Sequence, residues 1–403
     1  MRRATVATAM LLIAAACMGD GASSDLTSRR LLLVPELRIG SVDDAETALT
    51  FFRGLEVGSD GRIFTVHPEE NRIRIHDVEG RPAGFIGGPG EGPGEFRSVG
   101  MMGWVGDSLW VLDFGNYRFS YFDLDGRLLR SRTVPIDLGG PGASSPPRPE
   151  GLLPDGTLFG SPPAWSREVA KGTITERVVL RLDERSMPLD TLFRQPLSNT
   201  TWAIEDPKST RGFGSYGAQP FSDTEMVRLG LSGSDLVRVE RTVPVTPEEA
   251  SFRVSRVSLA GDTLFSREIR YTPEPIAPTL VDSLVRMRGK SMERIATRMP
   301  GAPTPARAEE LAREALYLPA FHPPVSELLV GRDGSIWLQR EVVDGDTANW
   351  LVLSANGGVA GTVSAPRRLR IMAAEERRIW GMETDELDVP YIVRYRVEEE
   401  DAT

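Results

Sequence analysis

The chain is poor in the residues that most often carry out chemistry in proteins. Its 403 residues include one cysteine, Cys17, and three histidines, His67, His76 and His322. A single thiol excludes an internal disulfide and a multi-cysteine metal site, so packing must stabilise the fold. The three histidines do not have the spacing of a zinc motif. The sequence therefore predicts no metal site and no cofactor.

Positive charge and long apolar runs are scarce as well. Lys and Arg number 47 against 57 Asp and Glu, which gives a net charge of −10. No long basic stripe occurs, and phosphate-backbone binding needs clustered Lys and Arg, so a nucleic-acid partner is excluded. Beyond the N-terminus, no apolar stretch approaches the length of a membrane span. The 40 glycines and 30 prolines indicate a chain with many turns.

The N-terminus has the pattern of a targeting segment. Arg2 and Arg3 precede an apolar stretch at 4–16, which is too short to cross a bilayer, and Cys17 follows three alanines. This arrangement resembles the bacterial lipoprotein signal, although Ala14 stands where that signal usually has Leu. We predict a signal peptide at 1–16 and a lipidated N-terminus and tether at 17–34. The protein would then be exported and anchored in the cell envelope by several acyl chains, which hold a protein durably. The alternative is plain cleavage and a soluble periplasmic or secreted protein.

One supersecondary unit recurs along the rest of the chain. A turn with Asp, Gly or another polar residue is followed by a strand of large β-forming residues, and a second polar turn comes after the next strand. The first marker occurs six times, at 60–64, 106–110, 155–159, 233–237, 333–337 and 376–380. Repetition of four-stranded units at a period of roughly 40–50 residues is typical of a β-propeller. We predict an all-β, six-bladed β-propeller over 35–403.

The sixth unit lacks a candidate for its fourth strand. Its third strand is expected around 395–397, after which only a few residues remain. The segment 37–40 precedes the first unit and has strand character. If it pairs with the last blade, it closes the ring and removes two exposed strand edges.

Three motifs carry a resemblance to a known family. The segment 113–119, Asp-Phe-Gly-Asn-Tyr-Arg-Phe, resembles the core of the NHL repeat; 67–73 is a degraded copy, and 90–96 is a glycine-rich loop. The chain looks like the bacterial six-bladed β-propeller family, which is related to NHL-repeat propellers and often found on lipoproteins. The resemblance implies the fold and leaves the activity open, because propellers host many functions. In this motif we expect Asp113, Asn116 and Arg118 to hold the short link between the second and third strands, with Phe96 packed inward and Glu95 bound to neighbouring amides.

Nearly all insertions are predicted to fall on one face of the propeller. The links between second and third strands emerge on the same face as the links between blades. The long members of both kinds are 161–175, 240–251, 341–349, 382–390, 134–150, 196–225 and 277–324. The last forms a helical insert between blades four and five, with helices expected over 279–299 and 306–318. A cap packed on the blades is favoured over a lid above the central opening. Loops on a rigid scaffold often carry function, so this face is the predicted binding face.

Candidate binding residues are few. The pair Asp344 and Asp346 lacks the remaining ligands of a calcium loop. The glycine-rich run is not a phosphate cradle, because Pro89 and Pro93 lack amide donors. His76 is expected in the core. The residues that could contact a ligand on the binding face are His67, Arg97, Trp165, Trp202 and His322.

From these observations we favour a non-enzymatic envelope protein that binds a ligand or an envelope protein on its insertion-bearing face. It would contact the membrane through the lipid anchor alone. Two alternatives remain open. One is a propeller enzyme, either a metal-dependent lactonase or hydrolase or an NHL-type lyase. The other is a scaffold in an envelope assembly.

Overall fold

The computed structural model describes residues 29–41, 47–49, 51–134, 147–162, 167–205, 214–296, 303–340 and 346–400. These residues contain 26 strands and three α-helices, arranged as a β-propeller. The expected all-β, propeller-like architecture is confirmed. In the described residues, none of the helices has both the length and the apolar character needed to cross a membrane.

Four sheets each contain four consecutive antiparallel strands. The first has β2 (Leu55–Val57), β3 (Ile63–His67), β4 (Arg72–His76) and β5 (Pro82–Gly87). The second has β6 (Val99–Val105), β7 (Ser108–Asp113), β8 (Arg118–Phe122) and β9 (Leu128–Thr133). The third has β10 (Arg148–Leu152), β11 (Leu158–Ser161), β12 (Glu176–Leu182) and β13 (Pro188–Pro196). The fourth has β16 (Met226–Leu229), β17 (Asp235–Glu240), β18 (Ser251–Ser258) and β19 (Thr263–Arg270).

The remaining propeller strands form one eight-stranded sheet, in the order β20-β21-β22-β23-β1-β26-β25-β24. Its members from the C-terminal part of the chain are β20 (Glu327–Val330), β21 (Ile336–Arg340), β22 (Thr347–Leu353), β23 (Val359–Pro366), β24 (Leu369–Glu375), β25 (Arg378–Thr384) and β26 (Pro390–Glu399). The other member is β1 (Arg30–Ile39) from the N-terminal end.

Strand β1 joins the two ends of the chain. It pairs antiparallel with β26 from Leu31 opposite Glu399 to Ile39 opposite Ile392. It also pairs in parallel with β23 at two positions, where Arg30 lies opposite Thr362 and Leu31 lies opposite Val363. The expected pairing of 37–40 with the last unit is therefore confirmed for residues up to Ile39. The strand begins at Arg30, within the segment that the sequence analysis assigned to the tether, because Leu31 and Leu33 also pack on this sheet.

A separate unit lies in the two long links around the fourth sheet. Strands β14 (Thr201–Glu205) and β15 (Gly214–Ala218) form a hairpin in the link before β16. Helices α2 (Pro278–Ala296) and α3 (Pro305–Ala315) lie in the link before β20, and the short α1 (Arg167–Ala170) lies between β11 and β12. Pro305 stands in the first turn of α3, and Thr304 caps it by accepting from the amide of Arg307. Together β14, β15, α2 and α3 are called the insert unit.

The core is divided among clusters shared by neighbouring groups of strands. Phe64 and Ile73 of the first sheet pack with Leu109 and Phe122 of the second. A further cluster joins the start and end of the chain, since Ile63 packs with Trp380 and Ile392. Because each face is covered by the adjacent sheet, burial of apolar area holds the ring together, at about 25 cal/mol per Å².

The tight turns follow from Asp and Gly. Asp77 accepts through Oδ1 from the amides of Glu79 and Arg81, and Gly80 has a φ of +84°. A Cβ at Gly80 would lie 2.8 Å from Leu37 of β1. Glycine is therefore required both by the backbone conformation and by the close approach of the N-terminal strand.

We expect the ion pairs of β1 to contribute to ring closure. Glu36 accepts from Nε of Arg378 at 3.0 Å and from Nε of Arg394 at 3.1 Å, with 17% of its side chain exposed. Glu36→Gln removes the charge that both guanidinium groups face, so the free energy of unfolding should fall by about 1–3 kcal/mol in urea denaturation.

The matched control is Glu399→Gln, which breaks the pair with Arg29 on the same strands. That pair is 3.2 Å long with side chains 59% and 65% exposed, so its loss should cost less than about 1 kcal/mol. Equal effects of the two variants would show that Glu36 has no special part in closure.

Candidate functional site

A cavity of about 520 Å³ lies on the axis of the propeller. Six strands supply most of its wall, and each is the first strand of a run of antiparallel strands: β2, β6, β10, β16, β20 and β24; Trp110 of β7 also lines it. The volume is within the range typical of small-molecule sites. This axial cavity is the candidate functional site.

Six charged side chains line the axial cavity. They are Arg53, Arg228, Arg370, Glu56, Glu150 and Glu327. The rest of the wall is apolar side chains and glycine, including Met101, Leu329 and Met372. The three arginines are exposed to solvent, whereas Glu56, Glu150 and Glu327 are partly buried.

One of the three carboxylates has a partner within the protein wall. Nη2 of Arg177 lies 2.6 Å and 2.5 Å from the two carboxylate oxygens of Glu150. The hydroxyl of Ser161 also donates to Glu150, and Nε of Arg177 donates to Ser161. This network links β10, β11 and β12, so Glu150 acts in the third sheet as a structural ion pair.

The other five charged groups have no ion-pair partner among the described residues. Arg228 makes one hydrogen bond, from Nη1 to the carbonyl of the preceding residue, Val227, at 3.3 Å. Three guanidinium groups and two carboxylates are therefore available to a molecule in the cavity.

The protein surroundings shift the pKa values of these groups. Burial raises the pKa of Glu56 to about 7, against the opposing charge of Arg332. Burial also raises the pKa of Glu327, against the charges of Arg370 and Arg228. For Arg228, burial lowers the pKa and the charge of Arg177 adds to this, while Glu327 and Glu150 oppose it. Each shift shows that the charged form has lost part of its hydration.

Topology places most of these charges toward one face. In a four-stranded antiparallel run, the first strand begins on the side where the links between sheets and the turns between second and third strands emerge. We call this side the link face; it bears the insert unit. Glu327 is the first residue of β20, Arg370 is the second of β24, and Arg53 stands two residues before β2. Glu56 and Arg228 lie deeper, two residues before the turns that begin at Gly58 and Gly230.

The histidines proposed from sequence are buried away from the cavity wall. His67 ends β3 with no exposed surface, and its Nε2 lies 3.0 Å from the hydroxyl of Thr65. Burial, aided by Arg74, lowers the pKa of His67 to about 4, so the ring is neutral. His322 is 4% exposed and packs edge-on against Phe221, with ring centroids 5.4 Å apart. Neither lines the axial cavity. His76 is buried, as expected.

Trp202 anchors the insert unit. It lies on β14 with 5% of its surface exposed and packs with Val285, Met292 and Leu311 of α2 and α3. The guanidinium carbon of Arg288 lies 5.0 Å from the ring centroid. The helices therefore cover the hairpin, and no described residue of α2 or α3 lines the axial cavity. The helices pack on a hairpin of a neighbouring link, whereas the sequence analysis expected them to pack on the blades.

Arg97 is also absent from the described cavity wall. It is exposed and pairs with Glu91 at 3.0 Å on the glycine-rich loop. Trp165 and Cys17 lie outside the described residues. The four described candidates, His67, Arg97, Trp202 and His322, are thus not brought together at the cavity, and the sequence did not indicate the cavity charges.

The roles expected for the NHL-like motif are confirmed. The carboxylate of Asp113 accepts from the amides of Arg97, Ser98, Gly115 and Asn116 and from Nδ2 of Asn116. Arg118 donates to three carbonyls of the glycine-rich loop, those of Glu91, Gly92 and Glu95. Glu95 accepts from the amide of Gly92, and Phe96 is fully buried. These residues hold the short link between β7 and β8, as expected, and in addition the link between the first two sheets.

No group of three or more His, Cys, Asp or Glu side chains in the described residues is placed to hold a metal ion. The pair Asp344 and Asp346 was considered above as a calcium site. Asp344 lies outside the described residues.

Comparison with known proteins gives structural similarity alone. No protein-family description and no curated sequence matches the chain. A solved member of the DUF4221 family from Bacteroides vulgatus is 10% identical, with a TM-score of 0.47, covering 92% of this chain and 99% of the other. A Bacteroides fragilis protein described as exported is 11% identical, with a TM-score of 0.44 and coverages of 92% and 96%. Virginiamycin B lyase from Staphylococcus aureus is 12% identical, with a TM-score of 0.40 and coverages of 91% and 99%. At these values the similarities carry no information on function.

The raised pKa of Glu56 makes stability depend on pH. Since the folded protein binds this proton more tightly than the unfolded chain does, stability is lost as pH rises from about 4.5 to about 7. Glu56→Gln should therefore raise the free energy of unfolding at pH 8 by roughly 1–3 kcal/mol and change it little at pH 4.

Urea denaturation at both pH values measures this difference. Glu248→Gln, at an exposed site outside the cavity, is the control and should have no pH-dependent effect. A Glu56→Gln variant that is less stable than the wild type at pH 8 would contradict the assigned desolvation.

Proposed function

We propose that the protein is an exported, lipid-anchored, six-bladed β-propeller that binds a small ligand in its axial cavity and does not catalyse a reaction. The observation that carries this proposal is the cavity of about 520 Å³ with five charged side chains that the described protein leaves unpaired. Three of them, Arg53, Arg228 and Arg370, are exposed, so a molecule that enters the cavity can contact them directly.

The count of six blades treats the eight-stranded sheet as two blades. One comprises β20 to β23, and the other comprises β24, β25, β26 and β1. They are connected through only two residue pairs between β1 and β23, whereas β1 pairs with β26 along most of its length. The six first strands around one cavity support the same count.

The chemistry of the cavity wall supports binding rather than catalysis. Among the described residues of the wall there is no Ser, Thr, Cys, Tyr, Lys or His, so glutamate carboxylates are the only candidate nucleophiles there. A second candidate is an enzyme that uses Glu56, because a pKa of about 7 suits a general acid or base. The metal-dependent lactonase or hydrolase and the NHL-type lyase belong to this second candidate.

The entry point of the chain supports an outward-facing site. Strand β1 begins opposite Glu399, the end of β26, which lies on the face opposite the link face. We call that opposite side the turn face; it carries the tight turns at 58–61 and 77–80. An anchor at Cys17 would hold the turn face toward the membrane and leave the link face free for a ligand or an envelope partner.

Cys17→Ala should release the protein from the membrane. In the native host, the wild type is expected in the membrane fraction and the variant in the soluble fraction, because a lipid anchor needs the thiol. Retention of the variant in membranes would refute lipidation while leaving ligand binding untouched.

Filling the cavity should abolish ligand binding. Thermal denaturation with millimolar glucose, glycine, citrate or putrescine tests four ligand classes. A ligand that binds the folded state raises Tm. At a concentration 100 times its Kd, it adds about 2.7 kcal/mol to the free energy of unfolding. We expect at least one class to stabilise the wild type, and Leu231→Trp, which adds bulk at the 61% exposed lining residue, to lose most of that shift.

The control is Leu387→Trp at an 82% exposed residue outside the cavity wall, which should keep the full shift. Absence of any shift in the wild type, or an equal shift in Leu231→Trp, would contradict the proposal.

Metal analysis of the purified protein distinguishes a metal-dependent enzyme from the proposed non-enzymatic binding protein. Stoichiometric, tightly held Ca²⁺ or Zn²⁺ would contradict the non-enzymatic function.

A further inference from the structure

We infer that the axial cavity takes an organic anion with at least two carboxylates and an apolar portion, held by Arg53, Arg228 and Arg370. The inference rests on the proposed function and names the ligand class of the same site. It follows from the number of available charges, their order around the axis and the apolar wall opposite them.

Positive charge is in excess inside the cavity although the whole chain is strongly negative. Three guanidinium groups face the cavity, and the carboxylate of Glu150 is already taken by Arg177. Glu56 and Glu327 remain, and burial raises the pKa of both. Near neutral pH Glu56 carries only part of a charge. The groups left for a ligand therefore favour an anion.

Among the described lining residues, charged side chains come from every first strand except β6. The neighbouring first strands β2, β24, β20 and β16 carry Arg53, Arg370, Glu327 and Arg228 in that order. Glu327 stands between two of the arginines, and its carboxylate feels the charge of both. Because the guanidinium groups belong to three different strands, they suit anionic groups at separate points of one molecule better than a single compact phosphate.

The opposite side of the cavity is apolar. Strand β6 contributes Gly100, Met101 and Met102, and Trp110 of β7 lies beside them. Methionine and tryptophan side chains bind hydrocarbon and aromatic groups well. The ligand should therefore place carboxylates toward the three arginines and a hydrocarbon or aromatic framework toward β6.

Calorimetric titration with defined probes tests the ligand class. Tricarballylate and benzene-1,2,4-tricarboxylate are the polycarboxylates, their triamides are uncharged analogues of the same shape, and inorganic phosphate is the compact anion. We expect at least one polycarboxylate to bind with a Kd below about 1 mM, more tightly than its triamide and than phosphate. Binding should weaken as salt is added.

Substitutions in opposite directions separate binding from folding. Arg53→Gln and Arg370→Gln should each weaken polycarboxylate binding at least about tenfold, the usual loss of a charge-assisted hydrogen bond. Glu327→Gln should tighten it severalfold, because it removes the negative charge between two arginines. A folding defect cannot produce that gain. Arg97→Gln, on the exposed loop outside the cavity, should leave binding unchanged.

Binding of neutral molecules or of phosphate in preference to polycarboxylates would overturn this inference and leave the proposed function standing. Polycarboxylate binding that ignores Arg53→Gln and Arg370→Gln would also overturn it. Failure of every probe in both experiments would overturn the proposed function itself.

Discussion

Closure of the ring by β1 is the constraint on which the rest of the structure depends. The C-terminal part of the chain supplies only β24, β25 and β26 to its last group of strands, so an unpaired edge would remain at β26. Strand β1 covers that edge and reaches β23 as well. The paired residues Leu31 and Glu399 lie at opposite ends of the chain, and joining them costs loop-closure entropy. Apolar packing of Ile39 and the ion pairs of Glu36 offset that cost.

The candidate site depends on the same closure. Arg53 belongs to the first group of strands and Arg370 to the last, so they come onto neighbouring strands only when the ring is closed. The cluster that packs Ile63 against Trp380 and Ile392 fixes this junction. The cavity is thus a property of the whole ring, and no single unit of the repeat contains it.

Local features of the fold were predictable from sequence, because each unit is built from contacts between nearby residues. The Asp-Gly turns, the NHL-like motif around Asp113 and the two helices depend on neighbours within one or two strands. The sequence also indicated the closing strand, yet not its full length, because the predicted tether extends to residue 34 although 31–34 is an apolar run of Leu and Val. Whether the eight-stranded sheet divides into two blades depends on pairing between distant segments, which no local pattern encodes.

The site was harder to predict for a related reason. His67 and Trp202 were chosen for the chemistry of their side chains, but residue type does not determine exposure. The ring of His67 is buried and lies beside the hydroxyl of Thr65, and Trp202 is covered by the insert helices. The cavity charges come from five short strands far apart in sequence, with no spacing motif. Their shared feature is position, since each stands within about five residues of the turn that follows a first strand. A search for charged residues at that place in each repeat would have found them.

The two faces differ in structure, and the proposed function assigns them different roles. On the turn face, Asp and Gly residues complete tight turns, and β1 enters close to the surface that a lipid anchor would hold. On the link face, long insertions surround the end of the cavity where Arg53, Glu327 and Arg370 stand. An anion that approaches a chain of net charge −10 is repelled over most of the surface, and the guanidinium groups attract it at one opening. The positions of Arg53 and Arg370 near the link face therefore favour entry from that face, away from the proposed anchor.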